Sequence, residues 1–221
     1  MADFDARGLL GDLFGEGIVD ALFDQKPRRR RAALAVERID HEYGGLGGAL
    51  QIRVGKAKEL QRVVIGLYDD TTPLTVANFK TLIRKKFYNG LRFHRALPGT
   101  LVQTGDPSSR WGQEDRTGTG GPGYTIPAEI KLHHEKASVA MARLPDKINP
   151  AKNSNGSQFY ACLQPMPKLD GQYTVFGEVL EGLDVLDYIS NQPTNSNDFP
   201  LPKIVIKSIV IEPRVAPPAN Q

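Results

Sequence analysis

The sequence predicts a mainly β, antiparallel domain, a barrel or sandwich carrying helical caps, with a helical extension in front of it. Beyond residue 48 only two segments carry helix chemistry, while short alternating apolar runs broken by Gly, Pro, Asn and Asp fill most of the rest. Strands and helices do not alternate regularly, as a doubly wound parallel sheet would require.

In the extension, residues 1–48, Leu9, Leu10, Leu13, Phe14, Ile18, Leu22 and Phe23 recur at helical spacing opposite Asp12, Glu16, Asp20 and Asp24. Gly8, Gly11, Gly15 and Gly17 each weaken that helix by up to about 1 kcal/mol against alanine, so it needs a surface to pack on. That surface is either a docking partner or the chain's own following domain. The acidic polar face disfavours an anionic membrane. Pro27 and the arginines at 28–31 end the pattern, "AALAVERI" suggests a second short helix, and "YGGLGG" (43–48) reads as a flexible joint.

The domain proper is expected over 49–213, with a tail at 214–221. "ALQIRV" and "RVVIGLYD" read as strands, Val63, Ile65 and Leu67 alternating onto one face. "TTPLTVANFKTLIRKK" has helix-start chemistry: Thr72 as cap, Pro73 at the first helical position, then Val76, Phe79 and Ile83 on one side. Residues 91–179 read as short strands. "EGLDVLDYI" is a second helix with Leu183, Leu186 and Ile189 in phase, and "KIVIKSIVIE" a closing strand whose apolar phase slips at Ser208, the mark of a bulge.

Composition excludes several function classes. A net charge of +3 names no partner, and the arginine run has no interleaved aromatics, so nucleic acid is not expected. One cysteine, Cys162 in an apolar run, allows neither an intrachain disulfide nor a cysteine zinc site, and suits a reducing, cytoplasmic setting. No apolar run approaches the roughly 20 residues of a membrane span, and the N-terminus lacks the basic and apolar regions of a secretory signal.

The stretch "FHRALPGTLVQTGDP" gathers His94, Arg95, Gln103, Thr104 and Asp106 and at first suggests a hydrolase. Hydrolase motifs are missing: there is no G-x-S-x-G elbow and no H-E-x-x-H. His133 and His134 are adjacent and, on a strand, would face opposite ways, so no metal is expected there. "GTGGPG" lacks the Lys-Ser/Thr of a phosphate loop, and no cofactor is expected.

"FYNGLRFHRALPGTLVQTGDP" with "NGSQFYACLQPMPKLDGQYTVFGEVLEGLDVLDYI" resembles the cyclophilin family of peptidyl-prolyl cis–trans isomerases, and "GGPGYTIPAE" and "VAMAR" resemble its bacterial members. The resemblance runs from about Ala49 to Glu212. It implies a closed eight-stranded antiparallel barrel capped by two helices, acting on proline-containing peptides and unfolded or flexible protein segments. It also implies Arg95 as the group that stabilises the twisted amide, with Gln103 holding the carbonyl and helping to fix Arg95. A surface ion pair is a weaker expectation for Arg95, because Phe93 and Leu97 suggest a buried strand. His94, Thr100, Leu101, Ala142, Arg143, Gln158, Tyr160, Leu169 and Tyr173 would line the substrate site; packing is an equally good role for His94. Asp106 is assigned to turn chemistry before Pro107.

Departures from the family are part of the expectation. Thr100 stands for an aromatic wall, Leu101 for a methionine, Tyr160 for a phenylalanine, Arg143 for an asparagine and Tyr173 for a histidine. Lys168 replaces the tryptophan associated with cyclosporin, implying weak binding of that drug. A proline-binding scaffold with incidental catalysis is the competing function.

Overall fold

The structure is a computed structural model that describes residues 46–54, 59–111 and 117–213. The two helices expected in the extension, and the tail, lie outside the described residues. Eight strands, β1 (Leu46–Val54), β2 (Gln61–Leu67), β3 (Arg95–Leu97), β4 (Leu101–Thr104), β5 (Ser138–Met141), β6 (Phe159–Cys162), β7 (Val175–Glu181) and β8 (Ile204–Pro213), form one antiparallel sheet in the order β3-β4-β6-β5-β7-β2-β1-β8. Two α-helices, α1 (Pro73–Arg84) and α2 (Leu183–Ser190), cover it.

Alternation explains the buried face. Val63, Ile65 and Leu67 are all essentially inaccessible, and Val76, Phe79 and Ile83 of α1 and Leu186 and Ile189 of α2 descend onto the same core. Phe79 anchors it, with Tyr88, Phe159 and Phe176 at ring-centroid distances of 5.2–5.4 Å. The slip at Ser208 is real. Gln51 pairs with Ser208 but Ile52 with Ile206, so Lys207 is the extra residue of a bulge.

Three expectations change. The joint at 43–48 ends early, because Leu46, Gly47 and Gly48 already belong to β1: all three pair with β8, and Gly47 and Gly48 pair with β2 as well. Backbone pairing does not need side chains, and Gly48 lies against Phe79, Ile83 and Ile209. The sheet is not a closed barrel: β3 and β8 are its two ends. Residues just before β3 approach β8 instead, through Gly90 N to Ile206 O (2.7 Å), Ile206 N to Leu91 O (2.9 Å) and Phe93 N to Ile204 O (3.1 Å). The chain then changes partners at His94, whose N–H bonds Gln103 O at 3.0 Å, so among the described residues no continuous ladder joins the ends. Thr72 does not cap α1 with its side chain; its hydroxyl donates to Tyr68 O at 3.1 Å. Glu129 caps the helix from 55 residues away, accepting from Leu74 N (3.1 Å) and Thr75 N (2.8 Å).

Candidate active site

One row of the sheet builds the site. Arg95 is the register partner of Gln103, Gln103 of Tyr160, and Tyr160 of Ala140, so β3, β4, β6 and β5 present these side chains side by side. The row one residue over, Ala96–Val102–Ala161–Val139, points through the sheet into the main core. The period of two thus separates site from core. A second apolar cluster of Leu101, Ala140, Tyr160, Cys162 and Val175 underlies the site face.

Above that face is a cavity of about 330 Å³ lined by Arg95, Leu97, Leu101, Gln103, Ala142, Arg143, Tyr160, Met166, Leu169 and Tyr173. The hairpin β3–β4 supplies Arg95, Leu97, Leu101 and Gln103. The exit of β5 supplies Ala142 and Arg143, and the single-turn helix Pro167–Leu169 brings in Leu169. Of the eleven residues expected at the site, Arg95, Gln103, Leu101, Ala142, Arg143, Tyr160, Leu169 and Tyr173 meet here. Leu97 and Met166 were not expected. Leu97 was legible, being two residues from Arg95 on the same strand face. Met166 sits in a loop with no local periodicity, so only the tertiary fold places it.

His94, Thr100 and Gln158 lie outside the lining. Thr100 is in the β3–β4 turn, its hydroxyl donating to Pro98 O at 3.1 Å. Gln158 is fully buried behind Gln103. Its amide nitrogen donates to Gly120 O (2.8 Å) and Asp106 Oδ2 (3.2 Å), so its oxygen accepts from Gln103 Nε2 at 2.9 Å. That orientation leaves Gln103 one N–H and its Oε1 for a substrate. The close approach is possible because residue 105 is glycine at φ +94°; a Cβ there would come within 2.8 Å of Gln158 Cα.

Asp106 does make the expected turn, accepting from Ser108 N at 2.7 Å, but its other oxygen also takes Gly118 N (2.6 Å) and Gly120 N (3.0 Å). A fully buried carboxylate therefore pins the 117–120 loop and backs the glutamine pair. Sequence reading missed that role because the partners come from three separate segments.

Arg95 is exposed, with Nε 3.5 Å from Asp198 Oδ2, and Gln103 bonds Gln158 rather than Arg95. The expectation of a buried strand rested on parity between Phe93 and Leu97. That parity is lost because Phe93 and Ala96 both face the core, across the break at His94. Asp198 is carried by the loop after α2, where Ala96 N bonds Asp198 O at 2.8 Å.

Arg143 is the opposite case, its side chain only 5% exposed. Its guanidinium donates to Gln172 O (2.7 Å) and Leu144 O (2.9 Å), pairs with Asp146 at 2.5 Å, and lies 4.8 Å over the Tyr173 ring. Burial pushes the Tyr160 phenol well above its ordinary value and the Cys162 thiol up to about 12, so both stay protonated and the thiol is unreactive.

A family model described as "Cyclophilin type peptidyl-prolyl cis-trans isomerase/CLD" matches residues 50–211. Peptidyl-prolyl cis-trans isomerase B of Bacillus subtilis is 41% identical over 133 residues, covering 59% of this chain and 84% of that protein. Peptidyl-prolyl cis-trans isomerase-like 2 of Gibberella zeae is 33% identical over 219 residues, 95% of this chain but 32% of that protein, so the chain spans about a third of that relative. A cyclophilin-type isomerase of Cryptosporidium parvum, solved in the presence of the dipeptide Ala-Pro, superposes with a TM-score of 0.64 at 28% identity, covering 75% of this chain and 98% of that one. A match over most of the chain, joined to this fold, shows that the chain belongs to the cyclophilin-type peptidyl-prolyl cis–trans isomerase family.

Proposed function

We propose that residues 49–213 accelerate cis–trans rotation about X–Pro bonds in peptides and in unfolded or flexible protein segments, with Arg95 as the catalytic residue and Gln103 beside it. The observation that carries this reading is the row Arg95–Gln103–Tyr160: a cation, an amide and an apolar ring on adjacent strands at the edge of one cavity. The solved relative with Ala-Pro supports proline-containing substrates. A cytoplasmic setting belongs to the same proposal and rests on the single cysteine.

Rotation must break amide resonance against a barrier of about 18–20 kcal/mol. No covalent bond is made, so neither nucleophile nor proton shuttle is needed. A 10⁵-fold acceleration asks for roughly 7 kcal/mol of stabilisation specific to the twisted state. In that state the prolyl nitrogen regains its lone pair and can accept a charge-assisted hydrogen bond that the planar amide cannot. Contact with Asp198 on the Nε side leaves the two amino groups of the Arg95 fork for that bond. Gln103 would hold the flanking peptide, while Leu101, Tyr160, Met166 and Leu169 take the proline ring and exclude water.

Exchange NMR on a proline peptide tests the assignment. Arg95→Ala should slow catalysed exchange on the order of 100-fold or more with the fold intact. Equal rates for the two proteins would remove Arg95 from the mechanism.

A further inference from the structure

Three ionisable groups behind the cavity take no part in the chemistry above, yet they converge on its wall. Asp170 Oδ1 accepts from the backbone N–H of His134 at 2.8 Å and lies 2.9 Å from its Nδ1, while Oδ2 lies 2.8 Å from Nδ1 of His133. His134 Nε2 is 2.9 Å from the hydroxyl of Tyr160. The histidine ring is fully buried, and its plane is parallel to that of the phenol within 6°, with the ring centroids 6.1 Å apart. The adjacent histidines do not face opposite ways, because 133–134 is not a strand; both turn to one carboxylate.

Proton accounting decides the direction of each bond. These contacts, led by His133, hold the Asp170 carboxyl down at about 2, so it is an acceptor only. A His134 ring with one N–H then carries its hydrogen on Nδ1, facing the carboxylate, which leaves Nε2 as a bare acceptor. The Tyr160 phenol keeps its proton, so it donates to Nε2 and its O–H points away from the cavity. Tyr173 stands edge-on to both rings, at 5.9 Å from Tyr160 and 6.3 Å from His134, and closes the side of the cluster.

We infer that His134 and Asp170 are positioning residues for the substrate pocket: they bind the Tyr160 hydroxyl from behind, so that only its apolar ring faces the proline. Without His134 the hydroxyl, on a residue 4% exposed, has lost its partner and must turn to the cavity or its water. The proline ring would then meet a polar wall, and substrate affinity would fall while the Arg95 chemistry continued. This inference rests on the proposed prolyl site, but its first test does not.

Two-bond nitrogen–proton spectra of the full-length wild type report the tautomer of each histidine. His134 is expected as the Nδ1–H form with Nε2 accepting; an Nε2–H form overturns the inference whether or not the protein is an isomerase. The second test is a double-mutant cycle read by KM and kcat for an Ala-Pro peptide. His134→Leu should raise KM about five-fold with kcat changed less than two-fold, and the same substitution in the Tyr160→Phe background should raise KM less than two-fold. A His134→Leu effect just as large in that background means general structural damage and overturns the inference. If His134→Leu does not fold, the tautomer decides alone. Absence of catalysis in the wild type, with the expected tautomer present, would sink the proposed reaction and leave the geometric inference standing.

Discussion

His94 was expected either to line the site or to pack, and it packs. It is 5% exposed, outside the cavity lining, and neither ring nitrogen has a partner at hydrogen-bonding distance and angle. Burial pushes its pKa down to about 4, against the opposing pull of the Asp106 carboxylate and of the polar groups of Gln158 and the Arg92 backbone nearby. Between the ordinary value and that one, the unfolded chain binds a proton that the folded chain refuses. Stability therefore falls as pH drops through 6.5 towards 4, by roughly 3 kcal/mol if the whole shift is expressed. His133, raised by Asp170, titrates above this window, and Asp170 below it. Thermal unfolding from pH 7 to pH 4 should show the loss in wild type and a flatter profile in His94→Gln; parallel profiles would refute it. At this scale the sequence identified which residue types gather. It did not say which of them face the cavity, since Gln103 and Gln158 are the same residue type and differ only in which side of the loop they occupy.

Elements read from periodicity came out in place because their signals are local. Three-residue β3 is too short to carry a pattern, and its parity breaks where the chain switches from β8 to β4. Caps show the same division. Thr72 and Pro73 marked the start of α1 correctly, yet the groups that satisfy its first amides belong to Glu129. Glu129→Ala is expected to cost about 1 kcal/mol, a fall of roughly 2–4 °C in Tm, whereas Thr72→Ser should cost less. Calorimetry giving an unchanged Tm for Glu129→Ala would show that solvent caps the helix equally well.

For the whole molecule, β1 lies between β2 and β8, so its first residues matter more than their glycines suggest. A chain begun at Leu46 keeps every strand pairing of β1 and is the reference. One begun at Ala49 loses the pairings of Gly47 and Gly48 with β2 and of Leu46, Gly47 and Gly48 with β8. At about 1 kcal/mol per backbone hydrogen bond, it should melt roughly 5–10 °C lower, and equal melting would restore the boundary at 48/49. What the sequence by itself determined was the set of elements, the family and the chemical character of the Arg95–Gln103 segment, because each is encoded in residues close along the chain. Tertiary structure alone decided the open ends of the sheet, the row that sets Arg95 beside Tyr160, and the union of His134, Asp170 and Tyr160 behind the pocket. Those depend on register between distant strands and on a loop's path, which no local pattern specifies.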